Sequence, residues 1–179
     1  MWTMSTYHHG DLRAALLRAS AKVLEKQGIA GLSLRDVARR AGVSHNAPYR
    51  HFPDRDALLA ALAAEGFSLL AEEMRSQSGR AMGEAYVRFA LEHPQRFRLM
   101  FGGALDFSKY PELRSAADGA YQSLVQAFKD LPRPELAAAG AWSLVHGLSH
   151  LLLDGHFAQA DRTAFAREVL GAVRFAQRG

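Results

Sequence analysis

Residues 33–52, SLRDVARRAGVSHNAPYRHF, constrain the fold more than any other part of the chain, because they place two short helical segments around a glycine-containing turn. Gly42 permits a sharp turn, and Val43 supplies an apolar contact between the two segments. The first segment carries its apolar residues on one side: Leu34, Val37 and Ala38. This arrangement is typical of a helix-turn-helix motif.

The side chains left on the outside of this motif are basic, aromatic or amide groups. Such groups suit the phosphates and base edges of DNA, whereas a purely structural helical hairpin does not need them. The outward-facing residues are Arg35, Arg39, Arg40, His45, Asn46, Tyr49, Arg50 and His51. The motif therefore predicts a DNA-reading function.

The composition indicates a protein that folds without external cross-links. The chain has 179 residues, 49% of them hydrophobic, which is enough to bury a core. It contains no cysteine, so disulfides, thiol nucleophiles and cysteine-ligated metals are excluded. Residues 1–10 lack the pattern of a secretory signal, and charged residues, histidine or glycine interrupt each later apolar stretch before the roughly 18 to 20 residues of a membrane span. We therefore expect a soluble cytoplasmic protein without membrane association.

Positive charge is concentrated in the N-terminal third. Residues 1–55 contain nine Lys or Arg against four Asp or Glu, a net charge of +5, whereas residues 56–179 carry a net charge of −1. A run of charge is often only a solvated face. Because this basic excess coincides with the helical hairpin, it also suits an electrostatic footprint for DNA.

The apolar periodicity is helical almost everywhere, so the sequence predicts an all-α fold. A first helix is expected over about 11–27, Ser33 is expected to cap the second, and Pro53 ends the third. The remaining helices are expected over Arg55 to about Gln77, 81–93, 94–100, about 112–129, 135–153 and 162–177. The sequence shows no low-complexity linker, so we expect the fourth helix to join the two halves directly.

Residues 31–62, GLSLRDVARRAGVSHNAPYRHFPDRDALLAAL, resemble the N-terminal domain of the TetR family of one-component transcriptional regulators. A later segment, AWSLVHGLSHLLLDG, is similar to a C-terminal subgroup of that family marked by Trp142 and His146-Gly147. The resemblance implies a ligand-responsive regulator that represses transcription, not an enzyme. It divides the chain into an N-terminal arm with the DNA-binding domain, residues 1–53, and an effector-binding and dimerisation domain, residues 54–179.

The resemblance also implies roles for individual residues. Tyr49, His51 and Arg55 would contact phosphates, whereas His45, Asn46 and Ala47 would face the major groove. Further candidates for DNA contact are Ser33, Arg35, Ser44 and Arg50. Alternatives stay open for some of these side chains: Ser33 could only cap a helix, Arg35 could only face solvent, and Arg50 could pair with a carboxylate of the fourth helix.

Asn46 and Pro48 depart from the common family pattern. A helix capped by Ser44 would press the ring of Pro48 against the Ser44 carbonyl. A cap at Asn46 would place Pro48 in the tolerated first turn and leave a recognition helix of barely two turns. The sequence leaves both starts open.

One short recognition helix reaches few bases, so we expect a homodimer on a roughly palindromic double-stranded DNA operator. The resemblance implies that the last two long helices pair with their counterparts in a four-helix bundle. The candidate interface residues are Leu144, Leu148, Leu151, Leu152, Phe165, Val169, Leu170 and Val173. Their spacing would equally suit an intrachain core.

Aromatic and methionine residues are frequent in the C-terminal half, where the resemblance implies a cavity for a small apolar effector. The candidate lining residues are Phe89, Phe97, Met100, Phe101, Tyr121, Trp142 and His146. Such an effector would release DNA only if it bound more tightly to a conformation in which the two DNA-binding domains of the dimer are spaced wrongly for the operator.

Two other classes of function stay open at this point. His146, His150 and Asp154 have the spacing of a metal-dependent hydrolase site, but Asp154 lies at a predicted helix end and no HExxH-like general base is present. We therefore expect no catalytic residue, no metal and no cofactor. An architectural DNA-binding protein without effector control would have weak base preference.

Overall fold

The computed structural model describes residues 9–173, and this part of the chain is helical throughout, without a β-strand. Its α-helices are α1 (His9–Gln27), α2 (Leu34–Arg40), α3 (Arg55–Arg75), α4 (Gly79–Glu92), α5 (Pro94–Phe101), α6 (Pro111–Ala127), α7 (Pro134–Leu153) and α8 (Arg162–Ala172). Two 3-10 helices span Ala47–Arg50 and Phe107–Lys109. The prediction of an all-α fold is confirmed.

Helices α1 and α2 and the 3-10 helix Ala47–Arg50 form a small N-terminal unit, which we call the reading head. Gly28 adopts a φ of +68° after α1, which a side chain would disfavour, and its N–H donates to the Leu24 carbonyl at 2.8 Å. The Ser33 hydroxyl accepts the Asp36 N–H at 3.2 Å and so caps α2 as predicted. The interior of the reading head is filled by buried apolar side chains: Leu16, Val23, Leu24, Val37 and Phe52.

Helix α3 runs directly from the reading head into the C-terminal half. Asp54 caps it by accepting the Ala57 N–H at 2.7 Å. Its first turns bury Leu58 and Leu62, while its last turns bury Leu70 and Met74 in the same continuous apolar core. The 21 residues of α3 span about 31 Å. One helix therefore connects the two halves without a linker.

The C-terminal half surrounds α3 with the remaining helices. Helix α6 packs along α3, and α4 packs against α7 and α8. Helix α5 approaches α3 so closely that a Cβ on Gly66 would lie 2.7 Å from the Met100 sulfur. Pro94, Pro111 and Pro134 open α5, α6 and α7, where a missing N–H costs no helical hydrogen bond.

Two contacts join the reading head to the C-terminal half besides α3. The Glu25 carboxylate of α1 accepts the backbone N–H groups of Gln95 at 3.2 Å and Arg96 at 3.1 Å, and so caps the start of α5. The Arg13 guanidinium of α1 pairs with the Glu112 carboxylate of α6 at 3.3 Å. Helix α1 is thus tied to two different helices of the C-terminal half.

Most predicted helices agree with the structure to within a few residues. The exception is the recognition helix, which is a single 3-10 turn of four residues that starts after Asn46, with Pro48 in its first turn. Of the two starts that the sequence left open, the structure has the one at Asn46. The predicted end of the last helix, to Gln177, lies outside the described residues.

Helix α7 corrects one expectation. It has 20 residues and an 18-residue window of mean hydropathy 1.4, so by length and composition it is apolar enough to cross a membrane. The expectation that every apolar stretch is too short is therefore wrong, because the His, Gly and Ser residues of α7 interrupt it without adding much polarity. Only 33% of that window is buried within the described chain.

Candidate DNA-reading surface and effector cavity

The turn of the helix-turn-helix is closed by backbone hydrogen bonds around Gly42. This glycine has a φ of +70°, and the Val43 N–H donates to the Ala38 carbonyl at 3.0 Å. A left-handed residue followed by such a bond is a common way to end a helix and reverse the chain. The turn leads into residues 44–50, in which Pro48 is buried and most of the other side chains are exposed.

Pro48 shapes the 3-10 helix. Its ring is buried, and its carbonyl accepts the N–H groups of His51 and Phe52, both at 2.9 Å. Asn46 occupies the cap position, but its side chain makes no capping hydrogen bond. The Asn46 amide is therefore exposed and not engaged in holding the helix.

The side chains that surround this turn form one exposed surface, which we call the reading surface. Tyr49 stands out from it, because 49% of this large aromatic residue is accessible. The sequence-predicted contact residues that the structure leaves exposed are Ser33, Arg35, Ser44, His45, Asn46, Tyr49 and Arg50, with Ala47 half-buried among them. Most of the predicted DNA contacts are thus accessible to a partner in this conformation.

Two predicted phosphate contacts are placed differently. The Arg55 guanidinium donates to the carbonyl of Leu32 at 2.8 Å and to that of Ile29, so it holds the loop between α1 and α2. The His51 ring is half-buried, and its Nε2 atom is buried without a hydrogen-bond partner in the described chain. In this conformation neither side chain is presented to a phosphate as Tyr49 is.

Asp36 organises two arginines beside the reading surface. Its carboxylate accepts hydrogen bonds from Arg40 at 2.6 Å and from Arg39. The Arg40 hydrogen bond, followed by that of Arg39, lowers the pKa of the Asp36 carboxyl below its ordinary value. Both guanidinium groups are held on the flank of α2, where they add positive charge near the reading surface.

The C-terminal half contains two neighbouring apolar cavities. The larger, of about 430 Å³, lies between α3, α5, α6 and α7 and has aromatic walls. The smaller, of about 320 Å³, lies between α4, α7 and α8. Both are bordered by Met74, Tyr86 and Leu124, so these three side chains separate the two spaces. Such volumes and linings suit a small, mostly apolar ligand.

A partly buried hydrogen-bond network lies at the wall between the cavities. The Trp142 indole N–H donates to the Tyr86 hydroxyl at 3.1 Å, and this hydroxyl lies 2.9 Å from His146 Nδ1. Burial raises the pKa of the Tyr86 phenol above its ordinary value. Burial, with a smaller effect of neighbouring His150, lowers the pKa of His146. Near neutral pH, phenol and imidazole are therefore both uncharged.

The predicted lining residues divide into two groups. Met100, Phe101, Tyr121 and Trp142 border the larger cavity. Phe89 and Phe97 do not border either cavity, because both are fully buried among the packed helices, and their assignment as lining residues is corrected. His146 also borders neither cavity, and it lies behind the wall in contact with Tyr86, Phe101 and Trp142. Sequence periodicity indicates that all the predicted lining residues face inward, but it does not separate those on a cavity wall from those in the packed core.

The predicted interface residues divide in the same way. Leu148, Leu152 and Leu170 are buried in the chain's own core, so they are not available to a partner in this conformation. Leu144, Phe165 and Val169 are half-buried, and Leu151 and Val173 are exposed. Sequence reasoning missed the rest of this side of α7, where Leu136, Gly140 and Ser143 are exposed and Gly147 is half-buried. Their spacing of three or four residues was the available signal.

The His146, His150 and Asp154 spacing does not form a metal site in the structure. The Asp154 carboxylate pairs with Arg98 at 2.7 Å, and His146 is engaged with Tyr86. Within residues 9–173 there is no group of three or more His, Cys, Asp or Glu side chains able to hold an ion.

Comparison with known proteins agrees with this architecture. The sequence model for "Bacterial regulatory proteins, tetR family" matches residues 16–62, and that for "Tetracyclin repressor-like, C-terminal domain" matches residues 80–173. An HTH-type transcriptional regulator of Mycobacterium tuberculosis is 30% identical over 131 residues, which cover 67% of this chain and 55% of that protein. The chain thus spans about half the length of the curated relatives that it matches.

Solved structures share the fold over almost the whole chain. A protein of unknown function from Rhodococcus sp. RHA1 has a TM-score of 0.79 and 32% identity, covering 94% of this chain and 96% of that one. A tetR-family transcriptional regulator from Streptomyces coelicolor has a TM-score of 0.73 and 21% identity, covering 92% and 79%. The second likeness bears on the fold alone.

Proposed function

The chain belongs to the TetR family of DNA-binding transcriptional regulators, and we propose that it acts as a homodimeric repressor that a small effector releases from a roughly palindromic operator. The relatives it matches are regulators, not enzymes. The observation that carries the proposal is that one helix, α3, leads directly from the reading head with its exposed reading surface to the wall of an apolar cavity of about 430 Å³.

The reading surface supports sequence-specific contact with DNA. Asn46 presents a free amide, which can bind an adenine edge through two hydrogen bonds. Tyr49 and Arg35 flank it with a hydroxyl and a guanidinium suited to phosphates. We assign base reading to His45, Asn46 and Ala47, and backbone contact to Ser33, Arg35, Ser44, Tyr49 and Arg50.

Dimerisation is supported by the outward side of α7, which we call the α7 outer face: Leu136, Gly140, Ser143, Gly147 and Leu151. Leu136 is 57% exposed and Leu151 is 42% exposed. A Cβ on Gly140 or Gly147 would meet no other atom within 4 Å, so a second helix has room to approach the backbone there. A two-fold axis along this face would set two reading heads side by side for sites roughly 34 to 36 Å apart.

The larger cavity supports effector control because its walls belong to helices that reach the reading head. Helix α3 borders the cavity with Phe67 and Leu70 and also forms part of the core beneath the head. A ligand that fits the cavity better in one arrangement of α3 changes the spacing of the two heads. We place the protein in the cytoplasm, where its DNA would be.

The proposal is tested by selecting binding sites from random duplex DNA and titrating the winner against a scrambled duplex at fixed salt. We expect a palindromic site bound at least about 10³-fold more tightly than the scrambled DNA. Equal binding of both duplexes would contradict sequence-specific regulation and favour an architectural role. Addition of candidate effectors to the selected complex then tests release directly.

A further inference from the structure

The larger cavity has few polar groups, and the chemistry of these groups restricts what it can bind. Of the described residues on its wall, Tyr86, Tyr121 and Trp142 are the ones whose side chains can donate a hydrogen bond. Asp118 is the one that carries a formal charge near neutral pH. Helical hydrogen bonds engage the backbone N–H groups of most of this wall.

The donor of Trp142 is already used. An indole N–H can only donate, and this one donates to the Tyr86 oxygen at 3.1 Å. The Tyr86 hydroxyl must therefore direct its own hydrogen elsewhere. His146 Nδ1 lies 2.9 Å away and accepts it when the imidazole proton is on Nε2, which satisfies the Trp142 N–H, the Tyr86 hydroxyl and His146 Nδ1. We assign the proton on this ground.

The third donor makes only a long contact. The Tyr121 hydroxyl donates to the backbone carbonyl of Glu135 at 3.4 Å, at an exposed position at the start of α7. The donors of Trp142 and Tyr86 are thus committed to acceptors within the chain, and that of Tyr121 is held weakly. A ligand whose polar group only accepts hydrogen bonds, such as a carboxylate or a ketone, would find the Tyr121 hydroxyl as its one exchangeable side-chain donor on the described wall.

A positively charged donor finds partners instead. Asp118 is one of the residues that border the cavity, and its side chain is 71% exposed, at the solvent side of the cavity. Its carboxylate forms a loose ion pair with the Arg114 guanidinium at 3.8 Å. Such surface pairs are weak and easily exchanged. The aromatic rings of Phe67, Phe101, Phe107 and Trp142 also border the cavity, and the face of such a ring attracts a cation.

We propose that the effector site takes an aromatic molecule bearing a hydrogen-bond-donating cation, of the arylalkylammonium class, and that Asp118 recognises the ammonium group. This inference rests on the proposed function, because it assumes that the larger cavity is the effector site. The aromatic ring would stack among the aromatic walls, and the ammonium would point to the Asp118 rim.

The test compares three probes of similar shape in equilibrium dialysis with the full chain at pH 7. The probes are 2-naphthylmethylammonium, 2-naphthoate and 2-ethylnaphthalene, which present a cationic donor, an anionic acceptor and no polar group. We expect the ammonium probe to bind at least about tenfold more tightly than the naphthoate probe and more tightly than ethylnaphthalene.

Two variants identify the groups responsible. Asp118→Asn should abolish the preference for the ammonium probe over ethylnaphthalene, whereas Glu92→Gln, at an exposed carboxylate away from the cavity that changes the net charge equally, should preserve it. His146→Phe keeps a ring of similar size but frees the Tyr86 hydrogen. It should increase the affinity for the ketone 2-acetylnaphthalene several-fold, while ethylnaphthalene, as the packing control, keeps its affinity.

Each other outcome is decisive. Naphthoate binding as tightly as the ammonium probe would overturn the inference but leave the cavity as an effector site. An unchanged ammonium preference in Asp118→Asn would overturn the role of Asp118. Failure of all three probes to bind would contradict the effector cavity itself, and with it the effector-control part of the proposed function.

Discussion

A single proline determines the geometry of the reading surface. Pro48 has no N–H to give to a helical ladder, and its ring packs inward, so the segment after Gly42 forms one 3-10 turn in place of a longer helix. The residues before it, His45 and Asn46, consequently sit in a turn. Their side chains extend from the surface without a capping role.

The difference between a base contact and a phosphate contact can be measured at Asn46 and Tyr49. Asn46→Ala should cost about 1 to 3 kcal/mol at one operator position and little elsewhere, because the role proposed for its amide is to read one base. Tyr49→Phe should weaken binding to all duplexes similarly, because phosphates are alike in every sequence. The measurement is a titration of each variant against the selected operator and its single-position substitutions at fixed salt.

An exposed amide on α6 provides the control for that experiment. Gln122→Ala should leave binding to every duplex unchanged. A uniform loss of affinity with Asn46→Ala across all operator positions would contradict base reading by this residue.

The sequence predicted the backbone roles of the residues around the turn well. It predicted less well which polar side chains are exposed and which are turned toward the protein. Gly42 and Ser33 have local signals, namely a residue that permits a sharp turn and a helix cap, and the structure has both as expected. Arg55 and His51 show the limit. Whether a cation turns toward solvent or toward loop carbonyls depends on residues such as Ile29 that are remote in sequence.

At the scale of helices, α5 connects the cavity to the reading head. Its last residues, Met100 and Phe101, border the larger cavity, and its first N–H groups are capped by Glu25 from α1. The eight residues of α5 span about 12 Å. A shift at the cavity wall therefore reaches α1 through one short helix, in parallel with α3.

The cap can be weakened without removing the side chain. Glu25→Gln has one acceptor oxygen for two backbone N–H groups and no negative charge at the helix start, so it should lower the free energy of unfolding by about 1 kcal/mol. Chemical denaturation measures this change. Hydrogen exchange at the amides of Gln95 and Arg96 should become faster at the same time.

Glu72→Gln tests whether any lost carboxylate has the same effect. This residue is exposed on α3, and the substitution should change the free energy of unfolding by less than about 0.5 kcal/mol. Equal destabilisation by both substitutions would show that the cap contributes nothing specific.

Helix bounds were predictable because caps and prolines mark them. The sequence did not show which neighbouring helix, if any, packs against each apolar face. Leu148 and Leu151 lie on the same helix three residues apart, yet one is buried and the other is 42% exposed. Apolar character was the same at both positions. Only the packing of α7 against α4 and α6 separates the core side from the α7 outer face.

At the scale of the whole molecule, the α7 outer face is the main apolar surface that the described chain leaves uncovered on a long helix. Leu151→Glu should weaken dimerisation by at least about 3 kcal/mol, because a two-fold interface contains the substituted position twice. Sedimentation or light scattering should show a monomer. The operator affinity should fall with it, while the helical content stays unchanged.

Leu69→Glu is the matched control, because this leucine is 39% exposed on α3 and lies outside the α7 outer face. It should preserve the oligomeric state. A dimer that survives Leu151→Glu but not Leu69→Glu would place the interface on α3 instead.

The continuity of α3 has a consequence for anyone who recombines regulators of this kind. A chimera joined at Pro53 would separate the reading head from Leu58 and Leu62, although these side chains complete the core beneath it. The family match for the N-terminal region likewise extends to residue 62, two turns into the helix. A reading head transferred to another regulator should therefore include the first half of α3. The junction of the chimera belongs inside this helix, where two helical segments can be joined in register.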